Sequence, residues 1–536
     1  MKRRKLQLAL AVFLAAYIGA VWWVFARSAP LVAARPVTIR LAHWQIEKGP
    51  PDGFAAVIKR YEQLNPRVKV EQVGVPGGGI YGQWLRTNLT GGTGTDLIEF
   101  AYFIGGVNDL PVRFFEPLTR LMNTPNPYNK GTPMEHVPWR LTFADGLYFM
   151  ISQSPEIGQI YGATLSQGST RLFCNRELLE KITGQPAVAP VTFADFRVLC
   201  AQVAEYSRRT GRTVHPLAGS YSNTQWLADF VMIGTLTGMN LELDREGYLA
   251  RYPWQAQSDY LLGRWSYRRP EIKAGLALLR ELSQQMRPGF TQLSRDDALQ
   301  EFVRGEALFI YSGTYDATSL TQLSPFPVEA MRLPQPTKDD PVVGRYVMGR
   351  YQDGYKGTFF EMYLNKDSPH KEEAIDFLRF LTSVEGGQIF QDHSGWLSSI
   401  RTVRVPPELE IHQATGDGFT GGAQYVGVGA SSTMAFWQHL NLLVGAQGSV
   451  DLFVEAMENG LQKEVTEDLR NEIRTILKAN SAVDAEIMAM SALNRLKAAD
   501  PEREQRQGTL ASNQTQSEIN AYQANWTLKR HGYKQP

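Results

Sequence analysis

The chain has 536 residues, 43% of them hydrophobic and 20% charged, with 55 Lys and Arg against 54 Asp and Glu for a net charge of +1. That length exceeds what one core supports and fits two lobes or domains with additions. The balanced charge excludes the basic footprint of a nucleic-acid partner, while 11 Trp, 22 Tyr and 25 Phe supply both core and ligand platforms.

Lys2-Arg3-Arg4-Lys5 precedes an apolar run from Leu6 to Phe25, long enough to cross a bilayer as a helix. The positive charges stay cytoplasmic, so everything after Ala26 faces outward. Residues 1–34 are therefore a signal peptide cut near Val32-Ala33-Ala34, or a signal anchor retained with its interface-type Trp22-Trp23. With no Cys here to acylate, a lipoprotein is excluded.

Beyond a linker at Pro30 to Pro36, Thr38-Ile39-Arg40-Leu41-Ala42 alternates as a strand does. Phe54, Val57, Ile58, Tyr61 and Leu64 recur at helical spacing and stop at Asn65-Pro66. Val68 to Val73 is a second strand, Gln83 to Asn88 a helical stretch and Thr95 to Phe100 a third strand. Strands alternating with helices predict an α/β fold with a parallel sheet, whose ligands sit beyond the carboxyl ends of the strands. This places Trp44, Gln45, Phe100 and Tyr102 at the rim of a cleft. The glycine run Gly74 to Gly79 lacks both the Lys-Ser/Thr of a P-loop and the G-x-G-x-x-G register.

Further along, strand Arg171 to Cys174 precedes a helix, Ala194 to Tyr206, that starts on Thr192 with Asp195 in its first turn. Cys174 and Cys200 are the only cysteines; they either pair in an oxidising compartment or stay as small buried hydrophobes, and their spacing fits no metal or redox motif. The loop Gly219-Ser220-Tyr221-Ser222-Asn223-Thr224-Gln225-Trp226 follows a short strand and mixes aromatic with amide groups, as a sugar cleft does. This brings in Tyr221, Asn223 and Trp226. Past Ser481, Ile487, Met490, Leu493 and Leu496 form one helical face, and after Asp500-Pro501 the polar composition predicts disorder.

Two blocks carry the strongest signal: DALQEFVRGEALFIYSGTYDATSL from Asp297 to Leu320, and GTFFEMYLNKDSPHKEEAIDFLRFLTSVEGGQIFQDHSGWLSSIRTV from Gly357 to Val403. With TDLIEFAYF, DGLY, RLFCNRELLEKITG and PVTFADFRVLCAQVAEYSRRTG before them, they resemble, in order from about Val37 to about Asn480, the extracellular solute-binding protein family, type 1. The resemblance implies a two-lobed, type II-like periplasmic-binding fold of residues 37–165 plus 350–405 and 166–345 plus 406–480, each lobe a mostly parallel sheet flanked by helices. Three crossings would form the hinge, and 481–536 would be a helical or disordered extension.

The resemblance also implies a monomeric receptor that captures a sugar or oligosaccharide between the lobes and delivers it to an ABC permease. Tyr315 stands where the family has the aromatic of its "G.W" turn, with Asp316 beside it, and Gly357 where it often has glycine. Trp396 is expected to pack. No nucleophile elbow, metal cluster or cofactor motif appears, so no catalytic residue, metal or cofactor is expected. A membrane-tethered sensor and a secreted carbohydrate-active enzyme are the alternatives, since 54 acids allow two carboxylates to sit at glycosidase spacing.

Overall fold

The computed structural model describes residues 36–77, 79–101, 110–153, 159–186, 188–244, 252–419 and 425–531, together with Tyr17. The expected signal segment 1–34, apart from Tyr17, and Tyr102 lie outside the described residues. Among those described, no helix is long and apolar enough to cross a membrane.

The principal elements are β1 (Val37–His43), α1 (Pro50–Leu64), β2 (Val68–Gly74), α2 (Gly79–Thr90), β3 (Leu97–Phe100), β4 (Gly162–Asn175), α3 (Phe193–Thr210) and β5 (His215–Ala218). They continue with α4 (Tyr221–Leu243), α5 (Pro253–Leu261), α6 (Pro270–Ser283), α7 (Arg295–Val303), β6 (Ala307–Gly313) and β7 (Val328–Met331). Last come β8 (Gly354–Leu364), α8 (Lys371–Leu381), α9 (Val384–Ser394), α10 (Ala430–Gln438), α11 (Val450–Leu496) and α12 (Pro501–Arg530).

The strands follow the order β2-β1-β3-β8-β4-β6-β5, and β7 also pairs with β4. Pairing is parallel where β1 meets β2 and β3, and where β5 meets β6, as helical crossovers require. The long strands β4 and β8 join these parts antiparallel. The first half of β4 pairs with β8, from Gly162 opposite Tyr363 to Ser169 opposite Gly354. Its second half pairs with β6, from Thr170 opposite Gly313 to Cys174 opposite Phe309. One strand thus passes from one part of the molecule to the other, buried along nearly its whole length, polar Thr164, Ser166, Ser169 and Arg171 included.

Buried apolar side chains form two large clusters. The first joins β1, α1, β3 and the start of β4 to β8, α8 and α9, through Ile39, Phe54, Tyr61, Phe100, Met362, Phe377 and Phe390. The second joins the end of β4, α3, α4 and α6 to α10 and α11, through Leu172, Phe196, Val231, Leu279, Phe436 and Leu469. α1 buries Phe54, Val57, Ile58 and Tyr61 of the predicted stripe, whereas Leu64, at its last position, is exposed. Thr192 and Asp195 cap α3 reciprocally: the Asp195 N–H donates to Thr192 Oγ1 at 3.1 Å and the Thr192 N–H to Asp195 Oδ2 at 2.9 Å. Cys174 and Cys200 are free and buried in the second cluster, so the small-hydrophobe reading holds for the pair.

Two expectations are corrected. Gly219 to Trp226 is not a loop: α4 starts at Tyr221, with Ser220 as its N-cap accepting from the Asn223 N–H. The polar tail is not disordered over 501–530, because α12 places Leu510, Ala521, Ala524 and Leu528 on one buried face. Composition averages over a helix, whereas burial depends on which side those few apolar residues share.

Candidate functional site

The two clusters meet along a seam built from the ends of strands and the starts of helices. β6 ends in a turn at Thr314–Asp316, which carries Tyr315 out of the second part of the chain and onto the first cluster. Across the seam, the Trp396 Nε1–H donates to the Tyr315 carbonyl at 3.3 Å, and Thr318 Oγ1 donates to the Ser394 carbonyl at 2.9 Å.

Aromatic rings line this seam in series. Trp226, half-buried on the first turns of α4, meets Tyr315 edge-on at 6.1 Å between centroids. Tyr315 lies 6.4 Å from Trp396, which lies 6.1 Å from Phe359 of β8. Trp396 is buried, as its expected packing role requires. Tyr221, at the head of α4, meets Trp437 instead, at 5.3 Å.

Charged groups sit beside the rings. Arg295, at the start of α7, lies over the Tyr315 ring at 5.4 Å and pairs with the buried Asp316. Its Nη1 also reaches Glu47 Oε1 at 3.2 Å, and Glu47 follows β1 in the other part of the chain. Ser312 donates a third hydrogen bond to Asp316, beside two from Arg295. Burial raises the Asp316 carboxyl above its ordinary range, and Arg295 opposes that shift.

The loop after β1 is anchored by Glu99, which is fully buried. The Gln45 amide donates to Glu99 Oε1 at 2.6 Å and the Trp44 N–H to Glu99 Oε2 at 2.9 Å. Burial drives the Glu99 carboxyl well above the usual range. Trp44 is half-buried against Tyr81, at 4.9 Å and edge-on.

The ten residues expected at the site therefore separate. Trp226, Tyr315 and Asp316 converge on the seam; Trp44 and Gln45 are fixed at the loop that carries Glu47. Phe100 is corrected to a core residue: it is wholly buried against Phe115 and Tyr363, so it offers no face to a ligand. Asn223 is spent within the fold, since its Nδ2 donates to the Tyr311 carbonyl at 2.9 Å and its backbone is capped by Ser220. Gly357 lies within β8, half-buried.

The sequence reading missed Glu47, Arg295 and Asp229. Glu47 lies two residues beyond Gln45. Arg295 opens the capping box of Ser294 and Asp297. Asp229 stands one turn after Trp226 on the same face of α4, its carboxyl pushed up to about 7 by burial. Among the described residues, no group of three or more His, Cys, Asp or Glu suits a metal ion.

This arrangement offers flat apolar faces beside paired charges, the combination that grips a polar molecule with apolar patches. Several solved structures share the fold. A chitin oligosaccharide binding protein is similar at 15% identity and a TM-score of 0.56, covering 81% of this chain and 99% of its own. Maltose-bound MalE3 of T. maritima is similar at 17% and 0.54, covering 80% and 99%. RafE in complex with raffinose is similar at 17% and 0.53, covering 80% and 100%. No curated protein matches the chain. The family model described as bacterial extracellular solute-binding protein matches residues 56–408, and on that match the chain belongs to the bacterial extracellular solute-binding proteins.

Proposed function

We propose that this protein captures a sugar or oligosaccharide at the seam between two lobes and delivers it to an ABC-type permease, without cleaving it. Family membership implies an extracytoplasmic location. The proposed lobes are the two apolar clusters, hinged where β4 and β8 pass between them. The observation that carries the reading is the half-buried ring pair Trp226 and Tyr315 beside the Arg295, Asp316 and Glu47 charges. A sugar presents C–H faces to rings and hydroxyls to charged groups, and a site committed to those hydroxyls rejects analogues that lack them. Structural relatives whose names include raffinose, maltose and chitin oligosaccharide support the same ligand class. The residues 6–25 act as export signal or tether in this reading.

A thermal-shift screen against mono- and oligosaccharides tests it, followed by mass analysis of each stabilising ligand. A ligand at 100 times its Kd adds about 2.7 kcal/mol to stability. A stabilising sugar recovered intact supports the receptor; a sugar recovered cleaved replaces it with a carbohydrate-active enzyme; stabilisation by no sugar removes the ligand class.

A further inference from the structure

Helices α11 and α12 form an antiparallel hairpin beyond the residues the family model matches. The solved relatives are aligned over 98–100% of their own length yet cover only 79–81% of this chain. About a fifth of the protein is therefore additional to the shared fold.

The base of the hairpin belongs to the second cluster. Phe453, Met457, Leu461, Val465, Leu469 and Ile473 of α11 are buried in it, with Ala524 and Leu528 of α12. Beyond Ile473 the hairpin holds itself together through a small cluster of Val483, Met490 and Leu510. Hydrogen bonds zip it: Gln514 Nε2 donates to Asp484 Oδ1 at 2.5 Å, Asn494 Nδ2 to Gln507 Oε1 at 2.7 Å and Gln507 Nε2 to Ser491 Oγ at 2.6 Å.

The same hairpin touches the first cluster. Gln159 Nε2 donates to Glu486 Oε1 at 3.2 Å, and Arg506 Nε donates to that oxygen at 3.1 Å. Gln159 is itself fixed, because Thr119 Oγ1 donates to its Oε1 at 3.2 Å and accepts from the Ile160 N–H at 2.9 Å. Ile160 and its neighbour Tyr161 are core residues of the first cluster. Burial pushes the Tyr161 phenol up to about 12, and the Glu486 charge adds to that shift while Arg506 opposes it.

We infer that the α11–α12 hairpin is a further connection between the lobes, whose Glu486–Gln159 contact holds the arrangement seen here and so sets ligand affinity from outside the cleft. The inference rests on the reading of the two clusters as lobes that rotate about β4 and β8. A contact made in only one arrangement shifts the equilibrium toward it by its differential free energy. Helix α11 is long enough for the task, about 70 Å at 1.5 Å per residue over 47 residues.

Distance distributions between spin labels at Lys59→Cys on α1 and Val198→Cys on α3 test this in the full chain without ligand; both positions are exposed, and Cys174 and Cys200 are buried. Glu486→Ala should add a longer distance population. Gln159→Ala should do the same while leaving the hairpin's own bonds intact, which separates lost contact from a misfolded hairpin. Glu47→Gln with Thr318→Val, which loosens the seam directly, is the reference. If the reference opens and neither hairpin variant does, the hairpin has no hold on closure; if none of the three opens, the lobes do not rotate and the reading beneath the inference falls with it.

Discussion

Arg295 and Glu47 stand 248 residues apart in sequence, and their side chains meet at 3.2 Å across the seam. Arg295 is also committed to Asp316, which is nearly wholly buried, so one guanidinium serves a partner from its own side and a partner from the other. Removing one member of a buried pair leaves the other charge uncompensated, at about 3–5 kcal/mol. Asp316→Asn should therefore destabilise the protein by an amount near the lower end of that range, because Glu47 still faces Arg295. Calorimetric unfolding checks this, and an unchanged Tm would remove the pair from the stability account.

Arg171 rivets the place where the chain passes between the two parts. Its side chain is fully buried and donates to the carbonyls of Thr170 at 2.6 Å, Ile411 at 2.5 Å and Gln413 at 2.5 Å, and lies 3.4 Å from Asp353 Oδ2. Arg171→Met should strand the Ile411 carbonyl, while Arg332 still donates to Asp353 and to the Gln413 carbonyl, so the cost should be about 1–3 kcal/mol. Arg171→Lys should recover only a part of that loss, since an ammonium lacks the planar fork that reaches three segments at once. Denaturant unfolding of the two variants provides the comparison.

Glu361, buried in β8, accepts from the Tyr363 hydroxyl at 2.7 Å, and burial pushes its carboxyl up to about 8 from an ordinary 4.5. The folded state then holds a proton that the unfolded chain releases, so this group's contribution is full below pH 4.5 and is lost as pH rises toward 8. The slope from this residue approaches at most about 1.4 kcal/mol per pH unit. Glu361→Gln keeps an acceptor for Tyr363 and should raise Tm at pH 8 while leaving it unchanged near pH 4. Thermal scans across that interval read the difference, and parallel curves for the two proteins would refute the assignment.

Trp226 and Tyr315 are the rings that approach each other across the seam. Trp226→Ala and Tyr315→Ala should each weaken a stabilising sugar by about 1–3 kcal/mol, roughly 5-fold to 150-fold in Kd. Phe100→Leu, a core change away from the seam, should shift Tm with little effect on Kd. Titration calorimetry of the three variants against one sugar decides whether the rings bind or merely pack.

Much of the first part was legible because local physics decides it. The stripe of α1, the Thr192–Asp195 cap of α3 and the alternation of β1 need only neighbours a few residues away. The ordered blocks around Tyr315 and Gly357 marked the family, and the turn after β6 does carry Tyr315 to the seam. The errors came where local signals were neutral. Gly219 to Trp226 reads as a loop by composition, yet Ser220 is a good N-cap, and the following residues are helical because β6 and α6 bury them.

By itself, the sequence determined the alternating elements of the first part, the capped start of α3 and the family. Only tertiary structure decided which side chains meet: that Phe100 turns into the core, that Arg295 finds Glu47, that Arg171 ties the crossings together, and that Glu486 reaches Gln159. The reason is geometric. Periodicity and capping are set within a turn or two of chain, whereas a hydrogen bond across hundreds of residues exists only when two independently packed bodies are held at one relative orientation, within a few tenths of an ångström.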